Sequence, residues 1–202
     1  MRNRILGLAI GMVFTCLGDA RTQLALSLPG SEAPKEPHAT PGVTVYLQNR
    51  LAVPASVLGR AEAVATEIFA GIGVHAEWRT GNERRASDKA EVTIEMQLDS
   101  GVPDALQPGV LAYAIPYGSA GTRIHVFCDR VLKTSSRELA GPYLGHVMAH
   151  EITHVLEGIS RHSAEGVMKA HWDLHDFYQM VFRPLQFATE DVTLIQASFK
   201  SK

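Results

Sequence analysis

The sequence predicts an α/β fold of the α+β kind, one domain built on a mixed, twisted sheet of about five strands with two long helices set among and after them. Three observations carry that prediction. Residues 43–78 read as strand, helix, strand. Three more segments alternate apolar and polar residues before the next long apolar stripe. The connection between the last two of these is short enough for antiparallel neighbours, so the sheet must mix both pairings.

In the first strand Val43, Val45 and Leu47 alternate with Thr44, Tyr46 and Gln48, the period of a strand with one buried face. Pro54 suits the first turn of the helix that follows. There Val57, Leu58, Ala61, Val64, Ala65, Ile68 and Phe69 recur at three-and-four spacing until Gly71 and Gly73 end it. Val74, Ala76 and Trp78 then alternate with His75 and Glu77, which closes a right-handed crossover between parallel strands. Further strands are expected over 91–98, with Val92, Ile94, Met96 and Leu98 inward, over 110–115 and over 123–128. Pro103, Pro108 and the glycines at 109, 118 and 121 punctuate them. The second long helix is expected over 142–157, opening on Pro142, striped by Leu144, Val147, Met148, Ile152, Val155 and Leu156, and ended by Gly158. Irregular chain follows. A last helix starts at Thr189, a good capping residue trailed by Glu190 and Asp191.

The bulk numbers agree with one globular domain: 202 residues, 46% hydrophobic and 20% charged. A formal net charge of -2 supplies no basic field to gather nucleic acid or anionic membrane. Residues 1–20 have a signal-peptide layout: Arg2 and Arg4 precede an apolar run over 5–17 too short to span a bilayer comfortably, and Gly18, Asp19 and Ala20 offer a cleavage site. The mature protein is then expected to be secreted or periplasmic, with no stable membrane span; a retained N-terminal anchor or lipidation at Cys16 is the alternative. Residues 21–42, with Pro29, Pro34, Pro37 and Pro41, read as a linker or short pro-segment, which leaves 43–202 as the folded domain. Loss of Cys16 with the signal leaves Cys128 as the only thiol, so no internal disulfide is expected, and Cys128 reads as a small buried hydrophobe.

The chemistry lies in His150-Glu151-Ile152-Thr153-His154, an H-E-x-x-H motif inside a predicted helix. Residues four apart on a helix are turned by only about 40° and raised by about 6 Å, so two imidazoles can converge on one ion. Glu151 is displaced from that pair and is better placed to contact a water than the metal. Zn2+ suits neutral imidazoles, and three protein ligands leave a position for water whose pKa falls toward about 7. A neighbouring carboxylate can take the proton of that water, and hydrolysis of a peptide bond is the reaction the arrangement fits best.

Gly158, His162 and Met168 follow in order, and the segment 150–168, HEITHVLEGISRHSAEGVM, resembles the active-site segment of the metzincin class of zinc peptidases. The resemblance is to a divergent branch, with some likeness to the archaemetzincins and to small predicted bacterial metallopeptidases. In that class the helix breaks at a glycine, a third histidine is delivered to the metal, and a methionine-bearing turn lies beneath it. The resemblance implies a metzincin-like fold, one catalytic Zn2+ held by His150, His154 and His162, Glu151 as general base, and Met168 as the turn methionine with Gly166 helping to form the turn. Here Gly158 comes four residues after His154 and His162 eight after, against three and six in the usual pattern. The resemblance further implies that the strand over 110–115 is an antiparallel edge that pairs with an extended protein or peptide substrate, with Ala112 and Tyr113 as its contact residues.

Other donors remain open for the third ligand: Glu165, His171 and His175, with His146 and Glu157 on the helix itself less well placed. A carboxylate from Asp173 or Asp176 could orient a ligand imidazole, or that stretch is a solvated loop. A noncatalytic zinc-stabilised extracytoplasmic binding domain is the alternative to a peptidase. Oligomeric state has no signature in the sequence.

Overall fold

The computed structural model describes residues 40–81, 92–100, 111–118 and 121–200. The expected signal peptide, residues 21–39 of the expected linker, and Glu91, Pro103, Pro108 and Val110 lie outside them. The elements run β1 (Gly42–Asn49), α1 (Ala55–Ala70), β2 (His75–Thr80), β3 (Val92–Asp99), β4 (Ala112–Gly118), β5 (Gly121–Phe127), α2 (Cys128–Thr134), α3 (Arg137–Glu157), α4 (Leu174–Phe182) and α5 (Thr189–Lys200). The five strands lie in the order β2-β1-β3-β5-β4. All neighbours are parallel except β4, which joins β5 antiparallel and forms an edge. This is the mixed α/β architecture that the strand periods and the short last connection predict.

The two faces of the sheet differ because the strands alternate. Val43, Val45 and Leu47 of β1, Val92, Ile94, Met96 and Leu98 of β3, and Ile124 and Val126 of β5 are buried in one core cluster with Ala61, Val64, Ile68 and Phe69 of α1 and Leu144, Met148 and Ile152 of α3. Burying each large side chain of this set contributes about 1.5–3 kcal/mol. The opposite face carries Glu95 paired with Arg123 at 3.2 Å and His125 against Asp99 at 3.1 Å. Helix α3 lies directly on α1: a Cβ at Gly145 would stand 2.6 Å from the Ala61 carbonyl oxygen. That close approach fixes the height of α3 over the sheet, and α3 carries the site.

The structure corrects four local expectations. Helix α3 begins at Arg137 rather than at Pro142, because Ser136 caps it by accepting from the Leu139 N–H at 3.3 Å. Pro142 sits inside the helix, where its missing N–H costs the Glu138 carbonyl its partner one turn on. Cys128 opens helix α2 instead of ending β5, although it is buried as expected and burial pushes its thiol up to about 12. The stretch after Met168 is not all irregular: Asp173 and Asp176 form a reciprocal capping box that starts α4. Strand β4 continues past Ile115 to Gly118, with a register irregularity between these two residues. No helix among the described residues is long and apolar enough to cross a membrane.

Candidate metal centre

Helix α3 presents His150 and His154 one turn apart, and Gly158, with φ of 67°, ends the helix in the left-handed conformation. The chain then turns back and brings His162 to the same place. The donor nitrogens of His150, His154 and His162 all lie within 4.8 Å of one another, the one such cluster of three among the described residues. The His162 ring stacks on His150 at 5.3 Å and meets His154 edge-on at 5.1 Å.

The ring protons are fixed by the main chain. His150 Nδ1 lies 2.9 Å from the Val167 carbonyl oxygen and His154 Nδ1 lies 3.2 Å from that of Ile159. A carbonyl only accepts, so each Nδ1 must donate and each Nε2 is left with a lone pair. Burial lowers the pKa of both rings, that of His150 to about 4, and keeps them neutral. Their two Nε2 atoms stand 3.1 Å apart. Two lone pairs that close repel unless a cation sits between them, and two nitrogens bound to one tetrahedral Zn2+ are expected about 3.3 Å apart. The donor set therefore fits a zinc ion.

Glu151 follows His150 on α3, is 9% exposed, and borders the same cavity. It makes no hydrogen bond or ion pair with a described residue, and burial pushes its carboxyl up to about 7. The cavity has a volume of about 1180 Å³. Residues 111–114 of the edge form one side; Leu139, Tyr143, Val147, Trp172 and Phe177 form an apolar wall; Arg130 and Lys133 of α2 stand at its margin. Trp172 meets His150 edge-on at 5.7 Å and donates to the Gly166 carbonyl at 3.2 Å, so it both packs against the turn and lines the cavity.

Strand β4 borders this cavity as an edge of the sheet among the described residues. The Phe127 N–H donates to the Leu111 carbonyl at 2.8 Å, which makes 111 and 127 a hydrogen-bonded pair. In an antiparallel ladder such pairs alternate, so Tyr113, opposite His125, spends its main-chain groups on β5, and Ala112 and Ala114 turn theirs away from the sheet. The Tyr113 ring stacks on His125 at 4.9 Å with 5° between planes. Met168 is 1% exposed, in the turn whose Val167 carbonyl receives His150. Gly166 in that turn has φ of 74°.

The competing donors go elsewhere. His146 is fully buried with both ring nitrogens engaged, to the Pro142 carbonyl and the Leu185 N–H. Glu157 lies 3.6 Å from Arg161. Glu165, His171 and His175 are exposed and stand outside the cluster. Asp173 and Asp176 cap α4 and receive the Lys169 ammonium rather than orienting an imidazole. Main-chain carbonyls do that work, a feature with no sequence signature. Sequence reasoning also assigned no site role to Arg161, Ser163 and Asp191, which bond to one another through the two chain neighbours of His162.

Taken together, a mostly parallel sheet with one antiparallel edge strand, a long helix packed on it and a histidine cluster at the helix end define the fold and its candidate metal site. Among solved structures it is similar to archaemetzincin from Methanopyrus kandleri, with a TM-score of 0.51 over 82% of this chain and 99% of that one, at 16% identity. At that identity the likeness is one of fold. No family model and no curated protein matches the sequence.

Proposed function

We propose that this chain is a zinc-dependent endopeptidase, with one ion held by His150, His154 and His162 and with Glu151 as general base. The observation that carries the reading is the approach of the neutral His150 and His154 imidazoles at Nε2, with a His162 nitrogen within 4.8 Å, beside a nearly buried carboxylate that bonds to no described residue. Bound zinc supplies a Lewis acid that polarises a carbonyl and lowers the pKa of water toward about 7. Glu151 then has one task, to take a proton from the attacking water and return it to the leaving amine; a carboxyl raised by burial is suited to both directions. His150 and His154 stay in the correct tautomer because Val167 and Ile159 hold their Nδ1 protons.

An extended peptide fits the edge beside the cavity. Ala112 and Ala114 offer main-chain groups for strand addition, and one substrate side chain enters the apolar wall of Leu139, Tyr143, Val147, Trp172 and Phe177. Met168 and Gly166 take the part of the methionine turn, which supports His150 through Val167. Arg2, Arg4 and the apolar run over 5–17 support a secreted or periplasmic protein acting on extracytoplasmic substrates.

The test is to measure zinc content and cleavage of unfolded casein by the wild type and by Glu151→Gln. The wild type is expected to hold one zinc per chain and to cleave; the variant is expected to keep its zinc and lose about 10²–10⁴-fold in kcat. Zinc-loaded wild type without cleavage would favour the noncatalytic binding domain instead, and equal cleavage by both proteins would remove Glu151 from the mechanism.

A further inference from the structure

His150 and His154 are held by their helix and by carbonyls on their Nδ1 atoms. His162 has neither support: it is exposed and lies on an arm outside any helix or strand. Its two neighbours converge on one carboxylate instead. Arg161 Nη2 and Ser163 Oγ both donate to Asp191 Oδ1, the serine at 2.6 Å. Arg161 Nη1 donates in turn to Ser163 Oγ at 3.3 Å, which closes a triangle of hydrogen bonds around the base of His162. The Ser163 N–H donates to the Met168 carbonyl at 2.8 Å, so the arm is also stitched to the turn that supports His150.

Asp191 has no exposed surface. A carboxylate in the first turn of a helix is commonly a cap, and Oδ2 fills that role by accepting the Ala188 N–H at 3.1 Å. Capping needs only one oxygen and no burial. Glu190, beside it in the same turn, has a 73% exposed side chain, the ordinary state of such a residue. The second oxygen of Asp191 is spent wholly on the two residues that flank His162. Charge-assisted bonds to a buried carboxylate are about twice as strong as neutral ones, and three mutually bonded groups fix direction as well as distance.

We propose that Asp191 is a positioning residue for the metal site: through Arg161 and Ser163 it sets where the His162 ring stands relative to His150 and His154. The inference rests on the reading of these histidines as one metal site. It also accounts for the longer spacing here, since a third histidine eight positions after His154, reached by chain that has left α3 at Gly158, is too far along to be aimed by the helix end alone and is aimed by α5 instead.

Zinc affinity of the full chain, measured by competition with a chromophoric chelator, is the readout, with melting of the zinc-free protein as the folding control. Asp191→Ala is expected to weaken zinc binding about 10–100-fold, as loss of a partner behind a ligand typically does, and Ser163→Ala to weaken it less. Thr193→Ala, on the exposed side of α5, serves as control and leaves it unchanged. The decisive comparison is a double-mutant cycle: placed on His162→Ala, the Asp191→Ala change has no further effect if Asp191 acts through His162, whereas a merely structural role weakens binding in both backgrounds. If Asp191→Ala does not fold, Asp191→Asn and Ser163→Ala enter the same cycle. Unchanged affinity, or equal weakening in both backgrounds, overturns the inference while the metal site stands; a wild type that binds no zinc overturns both.

Discussion

His146 Nε2 accepts a hydrogen bond from the backbone N–H of Leu185 at 2.9 Å, and its Nδ1 donates to the Pro142 carbonyl at 2.7 Å. One turn further along α3, His150 has the same tautomer, with Nδ1 on the Val167 carbonyl, but its Nε2 faces two other imidazoles across the cavity. What stands opposite Nε2 separates a strut from a candidate ligand. His146 ties α3 to residues 184–188, and the same segment holds the turn, since the Val167 N–H donates to the Gln186 carbonyl at 3.1 Å.

Burial depresses the pKa of His146 to about 4, against the ordinary histidine value of 6.5. The unfolded chain therefore takes up a proton at this residue as pH falls below 6.5, and the folded chain refuses it until about 4; stability is full above 6.5 and lost through that window. His146→Ala leaves the Leu185 N–H without its acceptor, a cost of about 1–3 kcal/mol before any void is counted. Urea unfolding at pH 7.5 and 5 is expected to show the variant less stable at both values and less sensitive to the change. A variant as acid-sensitive as the wild type would contradict the assignment.

Much of this was legible in the sequence where one physical period dominates. Strands β1 to β3 and helix α1 follow the alternation and the three-and-four stripe closely, and His150, Glu151 and His154 follow from helical geometry. His162 was reachable only through resemblance, because nothing local says where an exposed arm returns. Pro142 misled as a helix start because a first-turn proline is a stronger local signal than Ser136, while the packing of α3 on α1 draws the helix back to Arg137. Helix α2 has seven residues, too few to show a period of its own. Asp191 was visible only as an acidic first-turn residue; its partners Arg161 and Ser163 are distant in sequence and lie in a segment without period.

Two glycines with positive φ are expected to respond to alanine to very different degrees. At Gly166 a Cβ would stand 2.1 Å from the Gln186 carbonyl oxygen, part of a backbone that cannot yield without releasing Val167. The strained φ alone costs about 1–3 kcal/mol, and the clash adds to it. Gly166→Ala should therefore destabilise severely and weaken zinc binding, because the Val167 carbonyl no longer meets His150. At Gly158 a Cβ meets nothing within 4 Å, so Gly158→Ala should cost only about 1 kcal/mol. Thermal melting of the two variants orders them; the reverse order would refute the account of the turn.

Zinc should stabilise the folded chain, since the cluster exists only when α3, the arm and the turn are all in place. At a free zinc concentration of 100 times Kd the gain is about 2.7 kcal/mol, and a chelator should remove it. His154→Ala is expected to abolish most of that gain while changing the zinc-free melting little, because its ring is only partly buried and its one hydrogen bond to a described residue is to the Ile159 carbonyl of the arm. A zinc-dependent gain that survives in His154→Ala would place the ion elsewhere.

The edge strand gives the sharpest test of how a substrate would bind. Ala114 directs its N–H away from β5, so proline there removes no ladder bond. Ala114→Pro should thus leave the melting temperature within a few degrees of the wild type. A peptide added as a further strand, however, loses one main-chain bond and meets the ring, while Glu151 and the histidines are untouched. The expected result is a KM raised about tenfold or more with kcat little changed, the pattern of lost uniform binding. His125→Pro, on the inner strand, is the contrast, because it removes the N–H of a hydrogen-bonded pair and should unfold the edge. If Ala114→Pro binds and cleaves peptide as the wild type does, the substrate does not extend the sheet, and affinity must come from the apolar wall formed by Leu139, Tyr143, Val147, Trp172 and Phe177.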